Sequence, residues 1–256
     1  MKTIKLIIIA VIVAASLSAN AQMTGREIVE NVYTRPTGED QTSIMTMTLT
    51  NKSDQTRVRK IKQYSKDLGD IEKSIMFFMS PADVKNTSFM NWTYDDDKSD
   101  DQWIYLPALK RVKRISSDSK SDYFMGSDFT YDDLGDRKLD ADVHNLLKEE
   151  TVDNHECYVV ESVSKDDDYM YSKTITWIRK DNYVGVKKEF YDEDDDLIKI
   201  LSIKNVKQIS GFWVVTHSEM KSVQKNHKTV ITLSDIKVNT GVSTSKFSER
   251  MMTRGI

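Results

Sequence analysis

Three acidic runs contain the residues whose types and spacing could bind a metal ion. They are Asp95–Asp97 with Asp100 and Asp101, then Asp166–Asp168, and then Asp192–Asp196. Carboxylate oxygens are the ligands that Ca²⁺ prefers, but an EF-hand loop also needs a glycine at its sixth position and a terminal glutamate, which these runs lack. Aspartate also favours turns, because its side chain hydrogen-bonds to the adjacent backbone. We therefore interpret the runs as solvated hairpin turns and predict neither a metal site nor a cofactor.

Residues that could perform catalysis are not grouped in the sequence. The four histidines, His144, His155, His217 and His227, have no metal-ligand spacing. The sequence also has no nucleophile elbow, phosphate-binding loop or dinucleotide fingerprint. Cys157 lies in an apolar segment, which is typical of a small buried side chain rather than of a reactive thiol. These observations predict that the protein is not an enzyme.

One basic run contrasts with the acidic background. It consists of Lys110, Arg111, Lys113 and Arg114. On an exposed edge strand, such charges discourage pairing with other chains. The alternative is that they dock an acidic protein partner or a lipid phosphate by charge attraction. The sequence leaves both interpretations open.

The overall composition excludes several functional classes. The chain has 256 residues, with 37 Lys and Arg against 40 Asp and Glu, and a formal charge of -3. Binding to nucleic acid depends mainly on basic excess, so we expect no nucleic-acid partner. With 9 glycines, 3 prolines and 1 cysteine, the chain is neither collagen-like nor a disulfide scaffold.

Residues 1–21 have the pattern of a secretory signal peptide. Lys2 and Lys5 precede the apolar run Leu6–Ala15, and small residues follow at 19–21. The apolar run is shorter than the roughly 20 residues that cross a bilayer. We expect cleavage after Ala21 and a single domain over residues 22–256, exported to the periplasm. Because Gln22 rather than a cysteine follows the cut, we expect no lipid anchor.

The elements that follow are one helix and many strands. Thr24 and Glu27 form a capping-box pattern, which predicts a short N-terminal helix. Apolar residues then alternate with polar ones, which is the pattern of strands with one wet face. This alternation predicts strands over 42–50, 57–64, 71–79, 88–94, 102–106, 128–131, 157–164, 169–178, 183–191, 197–206, 212–223 and 229–238.

Short turns between these strands force antiparallel neighbours. A sheet of about a dozen twisted strands cannot stay flat and curls on itself. We therefore expect a mainly β protein, an incomplete antiparallel β-barrel with an N-terminal helix and short lid segments. The long polar stretch Ser116–Gly126 is our candidate for a mobile loop.

Residues 86–134 resemble the signature of the outer-membrane lipoprotein-sorting (LolA-like) family. The resemblance is strongest in Asn86–Tyr94, Asp101–Ile115 and Phe124–Leu134, and it extends over the mature chain. It implies a half-barrel that encloses an apolar cavity for the acyl chains of lipoproteins or other lipids. It also implies a donor, which is an inner-membrane ABC or RND transporter, and an outer-membrane acceptor.

The alternation of apolar residues gives our prediction of the cavity lining. Methionine is flexible and polarisable, so it suits a surface that accepts variable chains. The predicted lipid-contacting residues are Met45, Met47, Leu49, Phe77, Met79, Trp92, Trp103, Tyr105 and Phe129. The alternative function is an accessory subunit that docks on an RND- or ABC-type exporter and carries nothing. That alternative predicts an apolar face filled by the protein's own side chains.

Overall fold

Thirteen antiparallel strands form one sheet in the computed structural model, which describes residues 22–96 and 98–256. The signal peptide predicted over residues 1–21 lies outside the described residues. The strands are β1 (Asp40–Thr50), β2 (Thr56–Asp67), β3 (Ile71–Ser80), β4 (Ser88–Tyr94), β5 (Asp101–Leu106), β6 (Arg111–Arg114), β7 (Asp142–Val152), β8 (His155–Ser164), β9 (Lys173–Arg179), β10 (Gly185–Tyr191), β11 (Leu197–Ile209), β12 (Phe212–Ser222) and β13 (His227–Val238).

Two meanders make up this sheet and meet in its middle, the first formed by strands β1–β6 and the second by strands β7–β13. The order is β6-β5-β4-β3-β2-β1-β13-β12-β11-β10-β9-β8-β7. The first and last strands therefore pair with each other, with Met47 opposite Ile231. The two edges, β6 and β7, follow one another in the chain and are joined by residues 115–141. Every neighbouring pair is antiparallel, which confirms the meander predicted from the short turns.

The sheet is strongly curled. Strands β3 and β9 are seven places apart in the order, so in a flat sheet they would be roughly 34 Å apart. Glu72 of β3 and Thr174 of β9 nevertheless line the same cavity. Within the described residues, β6 and β7 do not pair with each other, so the barrel stays open. The predicted incomplete β-barrel is confirmed.

Helix α1 (Gly25–Tyr33) precedes the first strand and packs on the second meander. Its capping box between Thr24 and Glu27 is present, as predicted. Ile28 is fully buried against Val160 and Ile178. A side chain at Gly25 would lie 2.7 Å from backbone atoms of β7, so only glycine allows this close approach. Among the described residues, no helix has both the length and the apolar content to cross a membrane.

The largest differences from the sequence prediction concern four elements. The strand predicted over 128–131 is a single bridge between Tyr123 and Thr130. Strand β9 begins at Lys173 rather than at residue 169. Strand β7 was not predicted, because a register shift between Leu146 and Lys148 interrupts its alternation and its residues are mostly exposed. A second helix, α2 (Glu249–Arg254), ends the chain and was not predicted either.

Candidate functional site

The candidate site lies on the inner face of the sheet, which we define as the face covered by residues 115–141. These residues run from one sheet edge to the other across the concave side. In their middle, residues 122–131 fold back on themselves, and we call them the plug hairpin. The amide of Phe124 donates to the carbonyl of Phe129 at 2.7 Å, and the amide of Tyr131 donates to the carbonyl of Asp122 at 3.1 Å.

The tip of the plug hairpin turns back through two residues with left-handed backbone. Met125 has φ 50° and Gly126 has φ 73°. A left-handed conformation is unfavourable for a residue with a side chain such as methionine, so other contacts must hold it. The buried Arg59 of β2 provides one, since its guanidinium donates to the carbonyl of Met125 at 2.6 Å. This turn directs Phe124 toward the sheet.

Phe124 fills the inner face of the first meander. Its side chain is 0% exposed and packs in a cluster formed by Met45, Met47, Leu49, Ile61, Phe78, Val84, Phe89, Ile104 and Ile115. Its ring centroid lies 5.1 Å from that of Phe89, which is typical of edge-to-face aromatic packing. The part of the inner face formed by β1–β5 is therefore closed by the protein's own side chains.

A second anchor fixes the plug hairpin to β13. The carboxylate of Asp128 accepts hydrogen bonds from Nδ1 of His227 and from Oγ1 of Thr229, both at 2.7 Å. The amide of Asp128 donates to Thr229 Oγ1 at 3.0 Å. Asp128 is 3% exposed, so these bonds satisfy a carboxylate that would otherwise be costly to bury. The hairpin is thus held by strands of both meanders.

The second meander keeps an inner cavity of about 460 Å³. Its floor is apolar and includes Phe129, Phe190, Leu201 and Met220. Its wall is polar and comes largely from residues 132–142, which follow the plug hairpin. The cavity therefore has the two kinds of surface that an amphiphilic ligand needs.

Buried ion pairs and tyrosines build the polar wall. Lys199 of β11 forms an ion pair with Asp133, and the hydroxyl of Tyr171 donates to the same carboxylate at 3.1 Å. The hydroxyl of Tyr169 donates to Asp132 at 2.5 Å. Burial raises the pKa of both tyrosines, and the neighbouring carboxylates raise it further. Burial lowers the pKa of Lys199, while Asp133 opposes that shift.

A larger cavity of about 790 Å³ adjoins the first at its mouth. Both cavities are lined by Tyr33, Thr37, Glu72, Asp136 and Arg137. Glu72 and Asp136 are solvent-accessible at this mouth but are surrounded by protein atoms. This partial desolvation and the charge of Asp136 raise the pKa of Glu72 to about 7, with further contributions from Asp67, Asp95 and Asp100. Desolvation also raises the pKa of Asp136. The mouth is therefore an acidic region, in which the Glu72 carboxyl titrates near neutral pH.

The outer face of the first meander is covered by residues 239–256, which we call the C-terminal tail. Phe77 and Met90 pack there against Val242, Phe247 and Met252, with Trp92, Trp103 and Tyr105 at the border of the cluster. The tail is anchored where it leaves β13. Burial would raise the pKa of Asp40, but hydrogen bonds from Thr240, Val242 and Gly241 lower it below its usual value.

The structure places the predicted lining residues on two opposite faces. Met45, Met47 and Leu49 lie on the inner face beneath Phe124, and Phe129 lies at the boundary of the cavity. Phe77, Trp92, Trp103 and Tyr105 lie on the outer face under the C-terminal tail, and Met79 is 41% exposed. The nine residues are therefore not brought together in one cavity, because both faces of β3–β5 are apolar and alternation does not say which face is concave.

Of the predicted lining residues, Phe129 alone lines this cavity, so the sequence analysis missed the other residues of its wall and floor. Phe190, Leu201 and Met220 were on predicted strands, and Lys188 of β10 also lines the cavity. The register places Lys188 opposite Leu201, and Leu201 opposite Met220, so they form one row across three strands. Alternation within each predicted strand places Lys188 and Phe190 on one face, which was the available signal.

The basic run lies at one edge of the sheet. Lys110, Arg111, Lys113 and Arg114 are all exposed. Arg114 forms an ion pair with the buried Asp101. Among the described strands, β6 has one hydrogen-bonded neighbour, β5, and forms an edge of the sheet.

The acidic runs lie in turns where the structure describes them. Residues 166–168 connect β8 to β9, and residues 192–196 connect β10 to β11. Among the described residues, no three His, Cys, Asp or Glu side chains are grouped as metal ligands. Cys157 is 0% exposed beside Val159 and Trp177, and burial raises the pKa of its thiol.

Comparisons with known proteins agree with this fold. A family model with the description "Uncharacterized protein" matches residues 70–254. A Vibrio parahaemolyticus domain assigned to outer membrane lipoprotein sorting is 35% identical, with a TM-score of 0.84, over 90% of this chain and 98% of that one. A DUF1329 family protein from Desulfovibrio piger is 31% identical, with a TM-score of 0.84, over 89% of this chain and 97% of that one.

A LolA superfamily protein from Nitrosomonas europaea shares the fold at 21% identity, with a TM-score of 0.70, over 90% of this chain and all of that one. No protein of curated function matches the chain in sequence. The extent and identity of the Vibrio and Desulfovibrio matches show that the chain belongs to the outer-membrane lipoprotein-sorting (LolA-like) family.

Proposed function

We propose that the protein is a periplasmic carrier that binds the acyl chains of lipoproteins or other lipids and moves them toward the outer membrane. The observation that carries this proposal is the open, curled sheet with adjoining cavities of about 460 and 790 Å³ on its inner face. Both volumes fall in the range of roughly 300–1,000 Å³ that is typical of small-molecule sites. The family relationship supports the same proposal.

The physical need for such a carrier is clear from the free energy of transfer. An acyl chain of about 16 carbons costs roughly 12 kcal/mol to expose to water, at about 0.8 kcal/mol per methylene. A carrier must therefore cover the chain during transit and release it afterwards. Residues 115–141 cover this inner face, and side-chain contacts hold them there. They do not form a closed wall of strands. Movement of that segment offers a route for release.

Native mass spectrometry of the protein purified from its own envelope tests the proposal. We expect a bound lipid in the wild-type protein and much less in Leu201→Trp, because the larger side chain fills the cavity floor. Ile200→Trp is the matched control, since Ile200 directly precedes Leu201 in β11 and faces the opposite side of the sheet. The proposal fails if the wild-type protein carries no lipid, or if both variants carry as much as the wild type.

A second candidate function is the accessory subunit of an RND- or ABC-type exporter. Phe124 fills the inner face of the first meander, which is the arrangement expected of a protein without cargo there. The exposed basic edge at Arg111 and Lys113 supplies a docking surface for an acidic partner. Under this alternative, Arg111→Glu with Lys113→Glu abolishes co-purification with the exporter, and the wild-type protein carries no lipid. Under the carrier proposal, the bound lipid persists in this double variant.

A further inference from the structure

The cavity of about 460 Å³ contains one charged side chain that acyl-chain binding alone does not explain. Lys188 of β10 lines this cavity and is partly buried. Within residues 22–96 and 98–256, its ammonium group has no hydrogen-bond or ion-pair partner, and burial lowers its pKa. An unpaired charge in apolar surroundings is unfavourable, so this position favours a ligand that brings the opposite charge.

The neighbours of Lys188 are mostly apolar. Its strand partners on the inner face are Thr176 of β9 and Leu201 of β11. Nζ lies 5.1 Å from the ring centroid of Phe190, two residues further along the same strand. Met220 continues the row on β12. The ammonium group is therefore placed at the apolar floor of the cavity rather than in bulk solvent.

The other charges near Lys188 already have partners. Arg137 binds the carboxylate of Asp142 at 2.7 Å and stacks over the ring of Tyr169. Asp133 is paired with Lys199. These four groups are the charges that act most strongly on Lys188. The acidic residues at the mouth, Glu72 and Asp136, do not belong to this set and line the end that is shared with the larger cavity.

We propose that Lys188 binds the anionic head group of a single-chain amphiphile, a carboxylate or a phosphate monoester, whose alkyl chain lies over Phe190, Leu201 and Met220. This inference rests on the carrier function proposed above. A charge-assisted hydrogen bond is roughly twice as strong as a neutral one. The expected gain in affinity over an uncharged head group is about ten- to a hundredfold.

Isothermal titration calorimetry on the full mature chain, stripped of lipid, tests this assignment. The probes are palmitate, hexadecyl phosphate and hexadecanol, which share a 16-carbon chain and differ in the head group. We expect at least one anionic probe to bind ten- to a hundredfold more tightly than hexadecanol. The anionic probe with the higher affinity identifies the head group.

Three variants separate the charge of Lys188 from its packing. Lys188→Met removes the charge but keeps the length of the side chain, and we expect it to bind all three probes with similar affinity. Lys188→Arg restores the preference for the anion. Lys187→Met is the matched control, because Lys187 pairs with Glu189 and lies 4.1 Å from the Trp177 ring centroid on the opposite face. We expect this control to retain the preference.

The outcomes distinguish this inference from the function on which it rests. Equal binding of the three probes to the wild-type protein overturns the assignment of Lys188 but leaves the carrier function standing. An unchanged preference in a folded Lys188→Met also overturns the assignment. Failure of every probe to bind the wild-type protein overturns both proposals.

Discussion

The two meanders present inner faces of opposite character. On the first meander, apolar side chains of β1–β5 close over Phe124. On the second, Lys199, Tyr171 and Asp133 form a hydrogen-bonded network beside a cavity of about 460 Å³. Apolar surfaces pack without directional constraints, whereas hydrogen-bonded groups must keep fixed distances and angles. We infer that the polar network, rather than the apolar residues, keeps space open in this protein.

Removal of the Phe124 side chain from the plug hairpin should have the largest effect on stability. We expect Phe124→Ala to lower the free energy of unfolding by about 3–5 kcal/mol, because it leaves a large cavity in the apolar cluster. Denaturant unfolding measures this change. The control is Tyr123→Ala, since Tyr123 is 42% exposed and should cost less than about 1 kcal/mol. Equal effects at both positions would contradict the closed inner face of the first meander.

Loss of one partner from the polar network should have the next largest effect. We expect Asp133→Ala to destabilise the protein by about 3 kcal/mol, because it leaves the ammonium group of Lys199 buried without its partner. The double variant Asp133→Ala with Lys199→Met should recover at least half of the loss, as measured in a denaturant-based double-mutant cycle.

The surface pair Lys173 and Asp195 is the matched control for this network. Their side chains are 2.7 Å apart, and Asp195 is largely exposed. Asp195→Ala should cost at most about 1 kcal/mol, as is usual for exposed ion pairs. If Asp133→Ala costs no more than that, the network does not depend on the buried pair.

Titration at the cavity mouth should have the smallest effect. The pKa of Glu72 is raised from 4.5 to about 7 in the folded protein, so folding favours its protonated form. The wild-type protein should therefore lose stability as the pH rises from about 4.5 through about 7. Glu72→Gln should remove this loss and gain about 1 kcal/mol at pH 8, after allowance for solvent screening of an exposed side chain.

Urea unfolding at about pH 4 and pH 8 measures the effect of Glu72. The variant and the wild type should agree in their pH dependence below the ordinary pKa of glutamate and diverge above it. If the free energies of unfolding of the two proteins differ by the same amount at both pH values, the charge of Glu72 does not destabilise the folded protein.

The sequence predicted the strands better than it predicted the site. Strand β4 was predicted with its observed bounds, Ser88–Tyr94, and most other strands within a few residues. Alternation is a local property, so it was sufficient for these elements. The site depends on which face becomes concave, and this is decided by residues 115–141 and by the C-terminal tail. Neither segment has a regular period, so their packing could not be predicted.

Phe77 and Phe78 illustrate this limit. They are adjacent on β3, point to opposite faces and are both buried, one under the C-terminal tail and the other under the plug hairpin. The pattern gave no reason to prefer one face over the other. Lys188 illustrates a second limit. Alternation places it on the same face as Phe190, but a lysine on a strand is usually solvated, and the structure is needed to show that it lines a cavity.

The pairing of β1 with β13 has a consequence for how the chain reaches its fold. Met47 and Ile231 are opposite each other although 184 residues separate them in the chain. Each meander is built from local hairpins, which form quickly, whereas contacts between distant residues form slowly. We therefore expect the local hairpins of each meander to form before β1 pairs with β13. Until β13 is added, β1 is an unpaired edge that invites association with other chains, and the closing step of folding is also the step that protects against aggregation.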